Sequence, residues 1–204
     1  MEFNNLGSIV SCLREWDNIR DNPSEVIEYL GLGNYFSFKR NMPEASNLHA
    51  YPGICAADKA FYMFLIDAEA DRNSSETDLF NAITICKVKR NMGNSDEIPE
   101  AEALKRIEVW KRDYSKWATA QINNRQQTQG IFKAFNVPSS NIQRNVEYSS
   151  FFGLKQISGS SSSQSADLIT VDHSKSSIVF YDTVRPVPPF DVAPRSSFYL
   201  LDLL

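Results

Sequence analysis

The chain is poor in the side chains that most often carry chemistry, with two histidines and three cysteines in 204 residues. Cys12, Cys55 and Cys86 are odd in number, far apart and without CxxC or paired metal-ligand spacing. That set argues against a disulfide framework and fits free thiols in a reducing compartment. Neither G-x-x-x-x-G-K-[ST] nor G-x-G-x-x-G occurs, so no phosphate-cradling loop and no cofactor is expected. Gly31-Leu32-Gly33 follows a helical stretch and reads as its stop. A G-x-S-x-G elbow is also missing. The longest apolar run, Ala60 to Ile66, is far too short to span a bilayer. Glu2 and Glu15 stand where a leader would carry basic and then apolar residues, so a soluble cytoplasmic protein is expected, with no membrane partner. Positive charge is not in surplus either. A net charge of −4 and a pI near 5.3 suit a polyanion poorly, and no nucleic acid is expected as partner.

What remains is an ordinary globular composition, 42% hydrophobic and 23% charged, long enough to bury roughly 70% of its unfolded surface. No repeat or linker divides it, so residues 1–204 read as one domain with an extended, Pro-rich and apolar C-terminal segment from about 185. Leu6, Ile9, Val10, Leu13, Trp16 and Ile19 form a helical stripe that Asn4 or Asn5 can cap. Asn22-Pro23 opens a second, short helix. Tyr35–Lys39 and Leu48–Tyr51 read as strands, the latter halted by Pro52-Gly53. Phe61–Ala70 is the strongest strand signal, with Asn81–Arg90 its antiparallel neighbour across a polar loop, Asp71 to Asp78. If Asp67 pairs with Ile85, Lys87 lies diagonally across from it.

Pro99 opens the longest helix, reaching Asn123, with Leu104, Ile107, Trp110, Tyr114, Trp117 and Ala118 on its apolar face. Glu102 with Arg106 and Glu108 with Arg112 support its solvent face. Gln127–Phe135 reads as a further helical segment. Strands follow at Val146–Ile157, Asp167–Val171 and Ser177–Val184, separated by the flexible run Ser158–Ser165 and a polar turn at Asp172–Ser176. The order predicts an α+β fold, a mainly antiparallel sheet of about five to seven strands covered by N-terminal helices and one long central helix.

Five groups invite a functional reading. Asp67, Glu69 and Asp71 alternate, so a continued strand would set all three carboxylates on one face, able to hold a hard divalent cation. The plainer account, a strand end turning towards solvent, is preferred. His49 and Cys55 could form a dyad, which would need a base within hydrogen-bond reach and a third orienting group. His173 falls in a turn, towards water. Tyr35–Arg40 interleaves aromatic and basic residues as RNA-binding sheets do, although without that module's full signature. Trp110, Tyr114 and Trp117 could stack an aromatic ligand but suit a helix face covering a sheet better. In the C-terminal segment Phe190, Phe198, Tyr199, Leu200 and Leu201 are too apolar to stay exposed. They are expected to pack on folded protein, either the same chain or a partner, including a second copy in a homodimer. Two functions follow: a non-catalytic binding or assembly protein with contacts through this segment, or a metal-assisted hydrolase using Asp67, Glu69 and Asp71.

Overall fold

A computed structural model describes residues 3–39, 47–89, 101–138, 142–143, 145–156, 164–172, 174, 179–181, 184–189 and 194–204, with backbone alone at 101, 102, 179–181 and 185. His173, Phe190, Pro99 and most of the Ser158–Ser165 run lie outside the described residues.

Helix α1 spans Leu6–Ile19, and the Asn5 side chain accepts the Ser8 N–H at its start. Helix α2, Pro23–Leu30, begins with Asn22 as cap and Pro23 in the first turn. Strands β1 (Tyr35–Lys39), β2 (Leu48–Cys55) and β3 (Ala60–Asp67) follow. Helix α3 (Glu76–Ala82) and β4 (Thr84–Lys87) then lead to the long helix α4, Ala101–Asn123. The one-turn helix α5 (Arg125–Thr128) precedes β5 (Ala134–Val137), β6 (Glu147–Gln156), β7 (Gln164–Asp172), β8 (Val179–Tyr181) and β9 (Arg185–Val187). Two 3₁₀ turns, Arg195–Ser197 and Tyr199–Leu203, close the described chain.

The fold is α+β, and every pair of neighbouring strands is antiparallel. The strands divide into two sheets, in the orders β1-β6-β7-β8 and β4-β3-β2-β5-β9. Aromatic side chains join them across the core. Phe152 of β6 meets Phe61 of β3 and Phe135 of β5 at centroid separations of 6.2 Å. At one side the backbone itself bridges the sheets, because Asn34 and Tyr35 both donate to the Lys89 carbonyl and Lys89 donates back to Tyr35. Gly33 makes that crossing possible, since a Cβ there would stand 2.4 Å from the Lys89 oxygen.

Alternation decides which layer each side chain joins. Phe61, Met63 and Leu65 of β3 face the inter-sheet core, with Phe36 and Phe38 of β1 and Tyr148 and Phe152 of β6. Tyr62, Phe64 and Ile66 face outwards, where α1, α3 and the C-terminal turns cover them. Helix α4 lies along β6, burying Ala103 and Ile107 against Phe151 and Ile169. Further along it buries Trp110, Trp117, Ala118 and Ile122 in the main core. An ion pair between half-buried Arg106 and buried Asp167, at 3.1 Å, fixes that helix to β7.

Several local expectations give way to tertiary structure. Pro52-Gly53 does not end β2, which runs on to Cys55. Strand β5 pairs only with Leu48–Ala50, so the proline sits where β2 has a neighbour on one side, a setting in which a strand tolerates it. Gly53 lets α1 lie directly on the strand, as an added Cβ would come within 3.2 Å of the Cys12 backbone. The expected loop and early strand after Asp71 contain α3, capped by Ser75, whose hydroxyl accepts the Asp78 N–H. Strand β4 pairs three positions away from expectation, with Phe64 rather than Asp67 opposite Ile85 and Tyr62 opposite Lys87. Asp67 instead faces Leu48 of β2. Gln127–Phe135 is not a helix: Gln129 adopts a left-handed conformation and the chain turns into β5. Leu104 is 36% exposed, and Ala103 takes its place on the buried face of α4. The expected Glu108–Arg112 pair is replaced, Arg112 meeting Asp113 and Glu108 meeting Lys111, while the Glu102 side chain expected to meet Arg106 lies outside the described residues.

Candidate functional site

The three alternating carboxylates do not share a face. Strand β3 ends at Asp67, and a turn carries Asp71 back towards the outer face while Glu69 stands in solvent. Asp67 and Asp71 are buried, contrary to the expected solvent-facing row, because the strand's twofold alternation stops before Glu69. Among the described residues no three His, Cys, Asp or Glu side chains gather as metal ligands would.

Asp71 is instead the centre of a buried polar knot. His49 Nδ1 lies 2.7 Å from Asp71 Oδ2, and the Tyr51 hydroxyl donates to the same oxygen. The other oxygen accepts the Leu200 backbone N–H at 3.0 Å. Burial, with the Asp71 charge beside it, pushes the Tyr51 hydroxyl well above its ordinary range, so it remains a donor. Phe198 seals the knot. Its ring stacks on His49 at 4.0 Å and meets Tyr51 edge-on at 6.2 Å. Asn136 lies opposite His49 in the sheet, buried, with no hydrogen-bond partner for its Oδ1.

The C-terminal residues that sequence reasoning singled out are thereby placed on the chain's own core. Phe198, Leu200 and Leu201 are buried with Tyr51, Ile66, Ala134 and Val187. Tyr199 is half-buried and its hydroxyl donates to Asn73. Arg14 of α1 donates to the Leu203 carbonyl at 2.6 Å, and Arg195 pairs with Asp202.

Cys55 is not a partner for His49. The two stand at opposite ends of β2, opposite Ala60 and Ile66 respectively, roughly 20 Å apart along the strand. Cys55 belongs to a second group with Cys12 and Asp58; Asp58 accepts from Tyr62 at 2.8 Å and pairs with Lys87 at 3.4 Å. All three cysteines are buried and none is in a disulfide, and burial pushes the Cys12 and Cys86 thiols up to about 12. A thiol pushed up in this way is held protonated, the reverse of the lowered thiol that nucleophilic catalysis uses. Trp110, Tyr114 and Trp117 serve the core, with Trp110 stacked on Phe152 at 5.1 Å.

No known protein family, curated protein or solved structure matches this chain.

An open cleft of about 690 Å³ lies away from the Asp71 knot, between the second half of α4, α5, the start of β7 and the prolines of β9 and beyond. Trp117 and Phe132 form its aromatic base, and Pro186, Pro188 and Pro189 one wall. Gln121, Asn124, Gln127 and Gln164 present side-chain amides, and among the described residues Lys116 is the one charged side chain lining it. The Trp117 indole N–H holds the mouth in place by donating to the Gln164 carbonyl at 3.1 Å. No short motif marks this site; its signal in the sequence is the amide-rich stretch Gln121–Gln129 followed by Pro186-Val187-Pro188-Pro189. Among the described residues no helix is long and apolar enough to cross a membrane.

Proposed function

We propose that the chain is a non-catalytic binding protein that takes its ligand in the cleft beside α4. The observation that carries this is the cleft's chemistry. Its volume falls in the range of small-molecule sites, about 300–1,000 Å³, yet among the described residues its lining includes no His, Cys, Asp or Glu. Acid–base or nucleophilic catalysis needs such groups within reach of one another. The strongest catalytic-looking set, His49 with Asp71 and Tyr51, is spent on holding the C-terminal turns, and Phe198 covers it. The C-terminal segment takes part in binding through its prolines rather than its apolar end. A protein partner or a second copy would meet Tyr199, Leu203 and Leu204 there, since Phe198, Leu200 and Leu201 are already covered. Three buried cysteines, none in a disulfide, suit a reducing compartment such as the cytoplasm.

A fragment screen read by amide chemical shifts tests the proposal. Hits are expected to shift Lys116, Gln121, Thr128 and Gln164 together. Hits that gather instead around His49 and Asp71, or none that touch the cleft, would overturn it.

A further inference from the structure

We infer that the ligand of this cleft is a neutral, polyhydroxylated molecule of saccharide type, an inference that rests on the binding reading above. Charge comes first. Helix α4 borders the cleft with one flank of its last turns, through Lys116, Trp117, Ala120 and Gln121. Lys116 supplies one positive charge. Among the described residues nothing else in the lining is ionised, so a ligand carrying several charges finds at most one side chain to pair with.

Hydrogen-bonding capacity comes second. Thr128 is already committed, donating to the Gln121 carbonyl at 2.7 Å and accepting the Gly130 N–H. The Asn124 amide nitrogen donates to the Ala120 carbonyl at 2.9 Å. The side-chain amides of Gln121, Gln127 and Gln164 have no such bonds within the described chain and line one concavity. Each offers a donor and an acceptor in one plane. A hydroxyl is likewise both donor and acceptor, so an amide can bridge two adjacent hydroxyls of a sugar ring and leave neither unpaired. The C–H face of such a ring has somewhere to lie, on the edge of the Trp117 and Phe132 base and on the proline rings. An extended peptide would add to a sheet edge through its backbone; the edge strand that borders this cleft, β9, does so through Pro186, followed by Pro188 and Pro189, which have no N–H to offer, so the side-chain amides supply the hydrogen bonding.

The test is an amide and indole NMR titration of the intact chain with maltose, cellobiose, lactose and N,N′-diacetylchitobiose, and in parallel with an uncharged proline-rich peptide. At least one disaccharide should give saturable shifts of the Gln121, Gln127 and Gln164 side-chain amides and the Trp117 indole. Gln121→Ala and Gln164→Ala, which remove no internal hydrogen bond, should each weaken that binding about three- to tenfold, the cost of one lost neutral hydrogen bond. Saturable peptide binding in the cleft without any saccharide binding would overturn the ligand class and leave the binding reading standing. Saccharide shifts that persist unchanged in both variants would place the sugar elsewhere and overturn the inference. Silence from both probes, together with a fragment screen that avoids the cleft, would overturn both.

Discussion

Replacing Phe198 with alanine tests the role of the C-terminal turns directly. The ring is fully buried, stacked on His49 and edge-on to Tyr51. Its removal forfeits the transfer energy of a large apolar group and leaves a void over a buried polar knot, a loss of about 3–5 kcal/mol. For a chain of this length that corresponds to a fall in melting temperature of roughly 6–20 °C. The segment has a second way to respond. It can lift off locally, capping the loss at its own docking energy and freeing Leu200 and Leu201 at the same time. Hydrogen exchange separates the two responses. The Leu200 N–H donates to a buried carboxylate and should exchange slowly in the parent chain. If the void stays sealed, that protection persists while the melting temperature falls. If the turns lift, Leu200 loses protection first and Asp71 loses one of its three donors. An F198A chain with unchanged melting and unchanged Leu200 exchange would refute the reasoning.

Three further outcomes follow from the same geometry. Asp71→Asn should destabilise the chain by about 1.5–3 kcal/mol in urea unfolding, because His49, Tyr51 and Leu200 all bond to that carboxylate. Trp110→Ala should cost about 3–5 kcal/mol in thermal melts, and an unchanged melt would return the α4 aromatics to the surface. Cys12 and Cys86 are raised from 9.0 to about 12 in the folded chain. The unfolded chain therefore releases those protons first, and stability present below pH 9 should decline as pH climbs from 9 towards 12. Urea midpoints across that range check the sign, and native thiols should resist alkylation at pH 8 until denatured.

Features set by near neighbours could be read directly from the sequence. Asn5, Asn22 and Pro23 place the starts of α1 and α2 because a cap is decided within three residues. The core stripe of α4 follows from spacing alone, save that Leu104 and Ala103 exchange roles where the helix crosses the sheet. The start of α3 was also written locally, in Ser75-Glu76-Thr77-Asp78, a serine with an acidic residue three positions on. Other features depend on who the neighbour is. Pro52 is harmless only because β5 stops short, and the register of β4 depends on the path that α3 takes. The meeting of His49, Asp71 and Phe198 joins residues from three separate parts of the chain, and no local pattern announces it. The cleft is harder still, since amides and prolines are also what ordinary loops are made of.

The pairing of β1 with β6 sets a timetable for synthesis. Tyr35 faces Phe151 and Lys39 faces Glu147, so β1 has no sheet partner until more than a hundred further residues have been added, roughly ten seconds at ribosomal rates of 5–20 residues per second. Throughout that interval Phe36 and Phe38, destined for the innermost core, sit on a nascent strand with bare edges, the condition that invites pairing with other chains. Slowing elongation would prolong this exposure, while faster delivery of β6 would shorten it. Yield during expression should accordingly respond to codon choice between β1 and β6 more than to codon choice after β7.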